Sequence, residues 1–164
     1  MMKNNLILLF LSAMLILSAC SSGEKEQEDH GDHAQHSLPN GDLQEETASV
    51  DILPSFLEDK PEEMRMVYAA AGKAADVLEW IPCYCGCGES AGHLNNKNCF
   101  VNEIKEDGTV VWDDHGTRCL VCMEIAVESI KMKQEGKSLK EIRETIDNTY
   151  KEGYAVPTNT PMPS

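Results

Sequence analysis

Basic residues are scarce in this 164-residue chain: 14 Lys and Arg stand against 28 Asp and Glu, for a net charge of −14 at neutral pH. A nucleic-acid binder needs a basic footprint to displace counterions from phosphates, so no nucleic-acid partner is expected. Aromatic residues are few, at 5% of the chain, which leaves a thin apolar core for any domain it forms. No glycine-rich phosphate loop, serine-nucleophile pattern or internal repeat occurs, so the chain does not read as a substrate-turning enzyme. The longest apolar run, Leu6 to Leu17, falls short of the roughly 20 residues that a spanning helix needs.

That run follows Lys3 and ends in Leu17-Ser18-Ala19-Cys20, the order of charge, apolar core and small residues found in an export signal. Small residues immediately before a cysteine resemble the bacterial lipobox. The resemblance implies a signal peptide over 1–19, and acyl chains including a diacylglycerol on the Cys20 thiol. Two acyl chains suffice for stable anchoring, so the expected location is extracytoplasmic, on the outer face of the bacterial cell membrane. An ordinary secretory peptide with an incidental Cys20 is the alternative.

Residues 20–54 carry much of the negative charge, with few apolar residues before Ile52. Such a composition cannot bury enough apolar surface to fold, and a disordered tether is expected. His30, His33 and His36 flank Asp32 within it, a tract suited to weak capture of divalent metal or to nothing beyond solvation.

Residues 55–154 remain for one compact, cysteine-rich domain, expected to be mainly α with a small β-hairpin and about three helices. Pro61, Glu62 and Glu63 suit a helix start. Met64, Val67, Tyr68, Ala71, Ala75 and Leu78 recur at helical spacing, and the helix should run to about Trp80, where Pro82 stops it. Phe100 to Ile104 and Thr109 to Trp112 read as strands joined through Glu106-Asp107-Gly108. A second helix is expected from near Thr117 to Gly136, with Leu120, Met123, Val127 and Ile130 as its apolar face. A third should start at the capping box Ser138-Leu139-Lys140-Glu141 and end by Gly153. The tail 155–164, with three prolines, is expected not to fold.

The chemistry is concentrated between residues 83 and 122. Cys83, Cys85 and Cys87 alternate with Tyr84 and Gly86; Cys99, Cys119 and Cys122 follow, with His93 and His115 between them. Cys119 and Cys122, three apart at a helix start, share a face and sit where the dipole favours thiolate. Asp113 and Asp114 stand where they could orient His115. Six thiols and two imidazoles are soft or borderline ligands. They are enough for two tetrahedral zinc sites, for a copper(I)–thiolate cluster, or for one such site beside a disulfide. The expected function is capture, buffering or delivery of a soft metal, copper first and zinc second. An even thiol count outside the cytoplasm also fits a disulfide-stabilised interaction module. Thiol–disulfide exchange through Cys119 and Cys122 is the one enzymatic alternative.

Pro82 to Cys87, Gly92-His93, Cys99-Phe100, Trp112, His115-Gly116 and Cys119-x2-Cys122, behind a lipobox, together resemble the small bacterial lipoproteins named for their PCYCGC motif. That resemblance covers the whole folded domain. It implies a lipoprotein of this type and carries no established mechanism.

Overall fold

The computed structural model describes residues 34–164. The signal segment, Cys20, His30 and His33 lie outside the described residues.

The segment expected to be a tether instead begins the fold at residue 35. Strands β1 (Gln35–Ser37) and β2 (Leu43–Thr47) pair antiparallel. β2 continues onto β4 (Val110–Asp113), whose other edge takes β3 (Val101–Ile104). The sheet order is β1-β2-β4-β3. The fold is therefore helices packed with a four-stranded antiparallel sheet, not a mainly α domain with a small hairpin.

Polar chemistry holds the missed strands. The connection Leu38-Pro39-Asn40-Gly41-Asp42 closes through Leu38 N–H to Asp42 O at 2.8 Å and Gly41 N–H to Leu38 O at 3.0 Å. Glu45 is buried, and its carboxylate accepts from Ser55 N–H at 2.6 Å, Ser55 Oγ at 2.8 Å and Gln35 Nε2 at 2.8 Å. Thr47 Oγ1 accepts from Trp112 Nε1 at 2.8 Å. The inward positions of β2 are thus polar, so the strand shows no apolar alternation. His36 is exposed on β1, held in a strand and not in a flexible linker.

Helix α1 (Glu62–Lys73) starts after Pro61 with both glutamates in its first turn, as expected. The single helix to Trp80 does not form: the backbone leaves helical geometry at Ala74 (φ −111°, ψ 24°) and resumes as the short α2 (Ala75–Leu78). α1 lies hard against the sheet. Tyr68 packs edge-on to Phe100 with ring centres 5.1 Å apart, and its hydroxyl donates to Asp113 O at 2.9 Å. At Gly72 a Cβ would come within 2.6 Å of the Trp112 ring.

The short α3 (Gly88–Ala91) follows the cysteine run. Helix α4 (Leu120–Gln134) buries Cys122, Ile125, Ala126 and Ser129. The expected face is shifted: Leu120 and Val127 are exposed, while Met123 and Ile130 are only partly buried. The reason is that α4 serves two cores. Cys122 and Ala126 join the core of Tyr68, Phe100 and Trp112, while Ile125 joins Val77, Ile81, Ile142 and Ile146. Two of its buried residues are Cys and Ser, which an apolar count passes over. Helix α5 (Leu139–Tyr150) has the expected capping box, with Ser138 Oγ accepting from Glu141 N–H and the Glu141 carboxylate accepting from Ser138 N–H.

The tail is not loose. Ala155 N–H donates to Tyr84 O at 3.2 Å and Thr158 N–H to Cys83 O at 3.1 Å, while Cys83 N–H donates to Thr158 Oγ1 at 2.9 Å. Arg143, largely buried, donates to Thr160 O and Pro161 O at 3.1 and 2.9 Å. Three prolines rule out a helix here but leave carbonyls that satisfy this guanidinium.

Gly72→Ala tests the closeness of helix and sheet. In an open helix the change gains roughly 1 kcal/mol. Here overpacking against Trp112 should reverse the sign and cost about 1–3 kcal/mol. Denaturant unfolding of the two proteins measures which effect wins.

Candidate metal centre

The cysteine run is presented by α2 and the strap formed by the tail. Pro82 ends the helical segment, and Cys83 is then fixed on both sides of its backbone by Thr158. Tyr84 turns away to α5, where its hydroxyl donates to Asp147 Oδ1 at 2.7 Å and its ring lies 5.7 Å from that of Tyr150. Cys83 and Cys85, on either side of Tyr84, therefore lie together on the other side of the chain, Cys83 buried and Cys85 half-buried. Gly86 has φ +81°, a left-handed conformation that glycine adopts at little cost. The chain curls there, and Cys87 N–H donates to Cys85 Sγ at 3.3 Å.

The other thiols come to meet these. Cys99 ends the 3-10 turn Asn96–Cys99 that precedes β3. Cys119 is the N-cap of α4 and Cys122 lies in its first turn. Cys83 Sγ stands 2.9 Å from Cys85 Sγ and 3.4 Å from Cys122 Sγ; Cys99 Sγ stands 3.3 Å from Cys122 Sγ and 3.9 Å from Cys83 Sγ. Cys119 reaches Cys85. A disulfide would bring two sulfurs to about 2.05 Å, and all six thiols are free. His93 is buried with Nδ1 3.5 Å from Cys99 Sγ, and its ring meets that of His115 edge to face at 4.7 Å. The structure thus gathers all eight expected Cys and His positions into one continuous group.

Sequence reasoning missed Asp42. This carboxylate is almost fully buried at the end of the β1–β2 connection, with both oxygens 3.2 Å from His115 Nδ1, and it also accepts from the Arg118 guanidinium. Asp113 and Asp114 do not take that role: Asp113 accepts from the His115 backbone N–H, and Asp114 pairs with Arg118 and Leu43 N–H. The available signal was Pro39-Asn40-Gly41-Asp42, a run of turn formers within a segment read as solvated charge.

The electrostatics separate the thiols. Contact with Cys119, and then with Cys122, draws the Cys85 thiol down to about 4, which favours its thiolate form. Contacts with Cys122 and Cys83 bring Cys99 down to about 7. Burial, and then the neighbouring Cys85, lifts Cys87 to about 11. Cys122 is pushed far up, first by Cys119 and then by Cys83, because it donates within the group. The Cys85 thiolate is also the main cause that raises His115 to about 9, and Asp42 adds to it. Burial lowers His93, keeping its ring neutral and able to donate an electron pair.

The fit to a metal rests on this donor set. Cys83, Cys85 and Cys122 place one ligand atom each within 4.8 Å of one another, and so do Cys85, Cys87 and His115. A third group is Asp42, His93 and His115. Packing several thiolates at one buried point costs heavily unless a cation or protons neutralise them. A soft ion does this while keeping every sulfur as a ligand.

Comparison with known proteins adds a family and no activity. A family model described as a protein of unknown function with PCYCGC motif matches residues 7–163. No curated protein matches the chain, and no solved structure does. With nearly its whole length matched, the chain belongs to the family of proteins of unknown function that carry the PCYCGC motif.

Proposed function

We propose that this is a lipid-anchored protein of the outer face of the bacterial membrane, and that its Cys/His cluster binds a soft metal for capture, buffering or delivery. The observation that carries the metal reading is the gathering of six free thiols and two imidazoles into one group, within which Cys83, Cys85 and Cys122, and Cys85, Cys87 and His115, each bring three ligand atoms together. Structural cross-links would staple separate parts of the chain in pairs, and they need no histidine. Copper(I) is the first choice, because sulfur outnumbers nitrogen and thiolates favour this ion; zinc, which takes mixed Cys and His sets, is the second. The lipobox residues ahead of Cys20 support the anchor. Bound metal supplies the positive charge that holds the thiolates together. The protein's part is to keep Cys85 deprotonated and His93 neutral, and to aim His115 through Asp42. Binding displaces protons from the higher-lying thiols and from His115, so affinity rises with pH.

One observation favours thiol–disulfide exchange as a second reading. Cys85 is a half-exposed thiolate, the state an attacking sulfur needs. The attacking thiol would then be Cys85, since Cys122 is buried and held protonated.

Native mass spectrometry of protein purified under reducing, metal-replete conditions should find stoichiometric copper or zinc. Three intact disulfides and no metal would end the metal reading. Asp42→Asn removes the charge behind His115 and should weaken metal affinity by about 10–100-fold, read by chelator competition. In metal-free reduced protein the thiolate fraction of Cys85 is high above its pKa and falls below it. Alkylation of Cys85 by iodoacetamide should therefore stay fast from pH 8 down to pH 5 and decline only as pH drops through about 4. An ordinary thiol, ionising near 9, slows throughout that range.

A further inference from the structure

Cys83, Cys85 and Cys87 are chemically equivalent in sequence but not in place. Cys83 is buried in the core beside Phe100 and Leu78 with Cys99 and Cys122, whereas Cys85 and Cys87 are half-buried. Cys85 belongs to both of the three-ligand groups that contain cysteine, with Cys83 and Cys122 on its inner side and with Cys87 and His115 on its outer side. A thiolate has electron pairs enough to bind two soft ions at once. The solvent side is equally divided. Two open clefts, of about 530 and 450 Å³, flank the cluster, and Cys87, His115 and Arg118 line both. Cys83, Cys99 and Cys122 line neither.

Resting on the metal reading above, we propose that the cluster holds two soft ions that share the Cys85 thiolate: an inner ion that stays as scaffold and an outer ion that exchanges as cargo. The inner ion takes Cys83 and Cys122, with Cys99 beside them. Apart from the shared Cys85, which lines the larger cleft, its ligands are part of the hydrophobic core, so its release requires that core to open. The outer ion takes Cys87 and His115, which reach solvent through the clefts. The acceptor or donor of the outer ion can approach from either side of Cys87 without disturbing the inner thiols. The run Cys83-Tyr84-Cys85-Gly86-Cys87 is then a graded path: a core ligand, a bridge and a surface ligand. The left-handed turn at Gly86 carries the chain from the second to the third.

The test uses the full chain loaded anaerobically with copper(I). Two copper ions per chain are expected. Challenge with excess bicinchoninate should remove one rapidly and the other more than about tenfold more slowly, since a buried site opens only through local unfolding. X-ray absorption of the two-copper form should show a metal–metal distance. Cys87→Ser, on the solvent side and compatible with folding, should bind one copper and lose only the fast phase. Cys85→Ser should lose the metal–metal signal. Binding of one copper per chain, release of two in a single phase, or a metal–metal signal that survives Cys85→Ser each overturns the two-ion arrangement while leaving metal binding intact. If the chain binds neither copper(I) nor zinc, the metal reading itself fails and this arrangement falls with it.

Discussion

Sulfur occupies the place where a domain of this size would ordinarily put aromatic side chains. Cys83, Cys99 and Cys122 are buried between α1, α4 and the sheet, in the same core as Tyr68, Phe100 and Trp112. Three thiols at one buried point bring little dispersion or area for their polar cost, so the surrounding structure is arranged to tolerate them. The first turn of α4 faces them with its positive end. His93 closes one side as a neutral ring. The Cys85 thiolate has an imidazolium within reach, and that imidazolium has Asp42 behind it. With apolar residues in place of the sulfurs, the His93 ring and the His115 imidazole would lose the thiol partners they have here.

The acidic N-terminal segment shows how one composition can hide two uses of charge. Read as a whole, it looks like solvated linker. Within it, Glu45 is enclosed by Ser55 and Gln35, and Asp42 by His115 and Arg118. Buried carboxylates with full sets of donors are structural elements. Bulk charge cannot separate them from carboxylates that merely stay wet, because the difference lies in partners ten positions away for Glu45 and more than 70 away for Asp42.

What could be read from the sequence divides along the same line. Local signals were legible: the capping box at Ser138 and Glu141, the glutamate-rich start of α1, the β3–β4 hairpin, and the crowding of Cys and His residues between positions 83 and 122. Each rests on residues a few positions apart or on plain ligand chemistry. Signals that depend on tertiary surroundings were not. β2 presents Glu45 and Thr47 inward, so it shows no apolar alternation. α4 buries Cys122 and Ser129, so an apolar stripe drawn through Leu120 and Val127 points to solvent. Residues 155–164 lack any periodic pattern, yet they find Cys83, Tyr84 and Arg143 as hydrogen-bond partners.

The bonds that complete the site join residues very distant in the chain. His115 meets Asp42 across 73 positions, and Cys83 meets Thr158 across 75. Contacts of such separation form late, after the loop-closure entropy has been met by other structure. The thiols themselves meet over shorter separations, from 2 positions for Cys83 and Cys85 to 39 for Cys83 and Cys122, so they can gather before Asp42 and Thr158 fix the site, and in that interval they are reactive groups open to pairing with the wrong partner. A chain that folds where oxidants are present has to win that race. The order in which helices and sheet assemble then bears on the yield of intact protein as much as on its final stability.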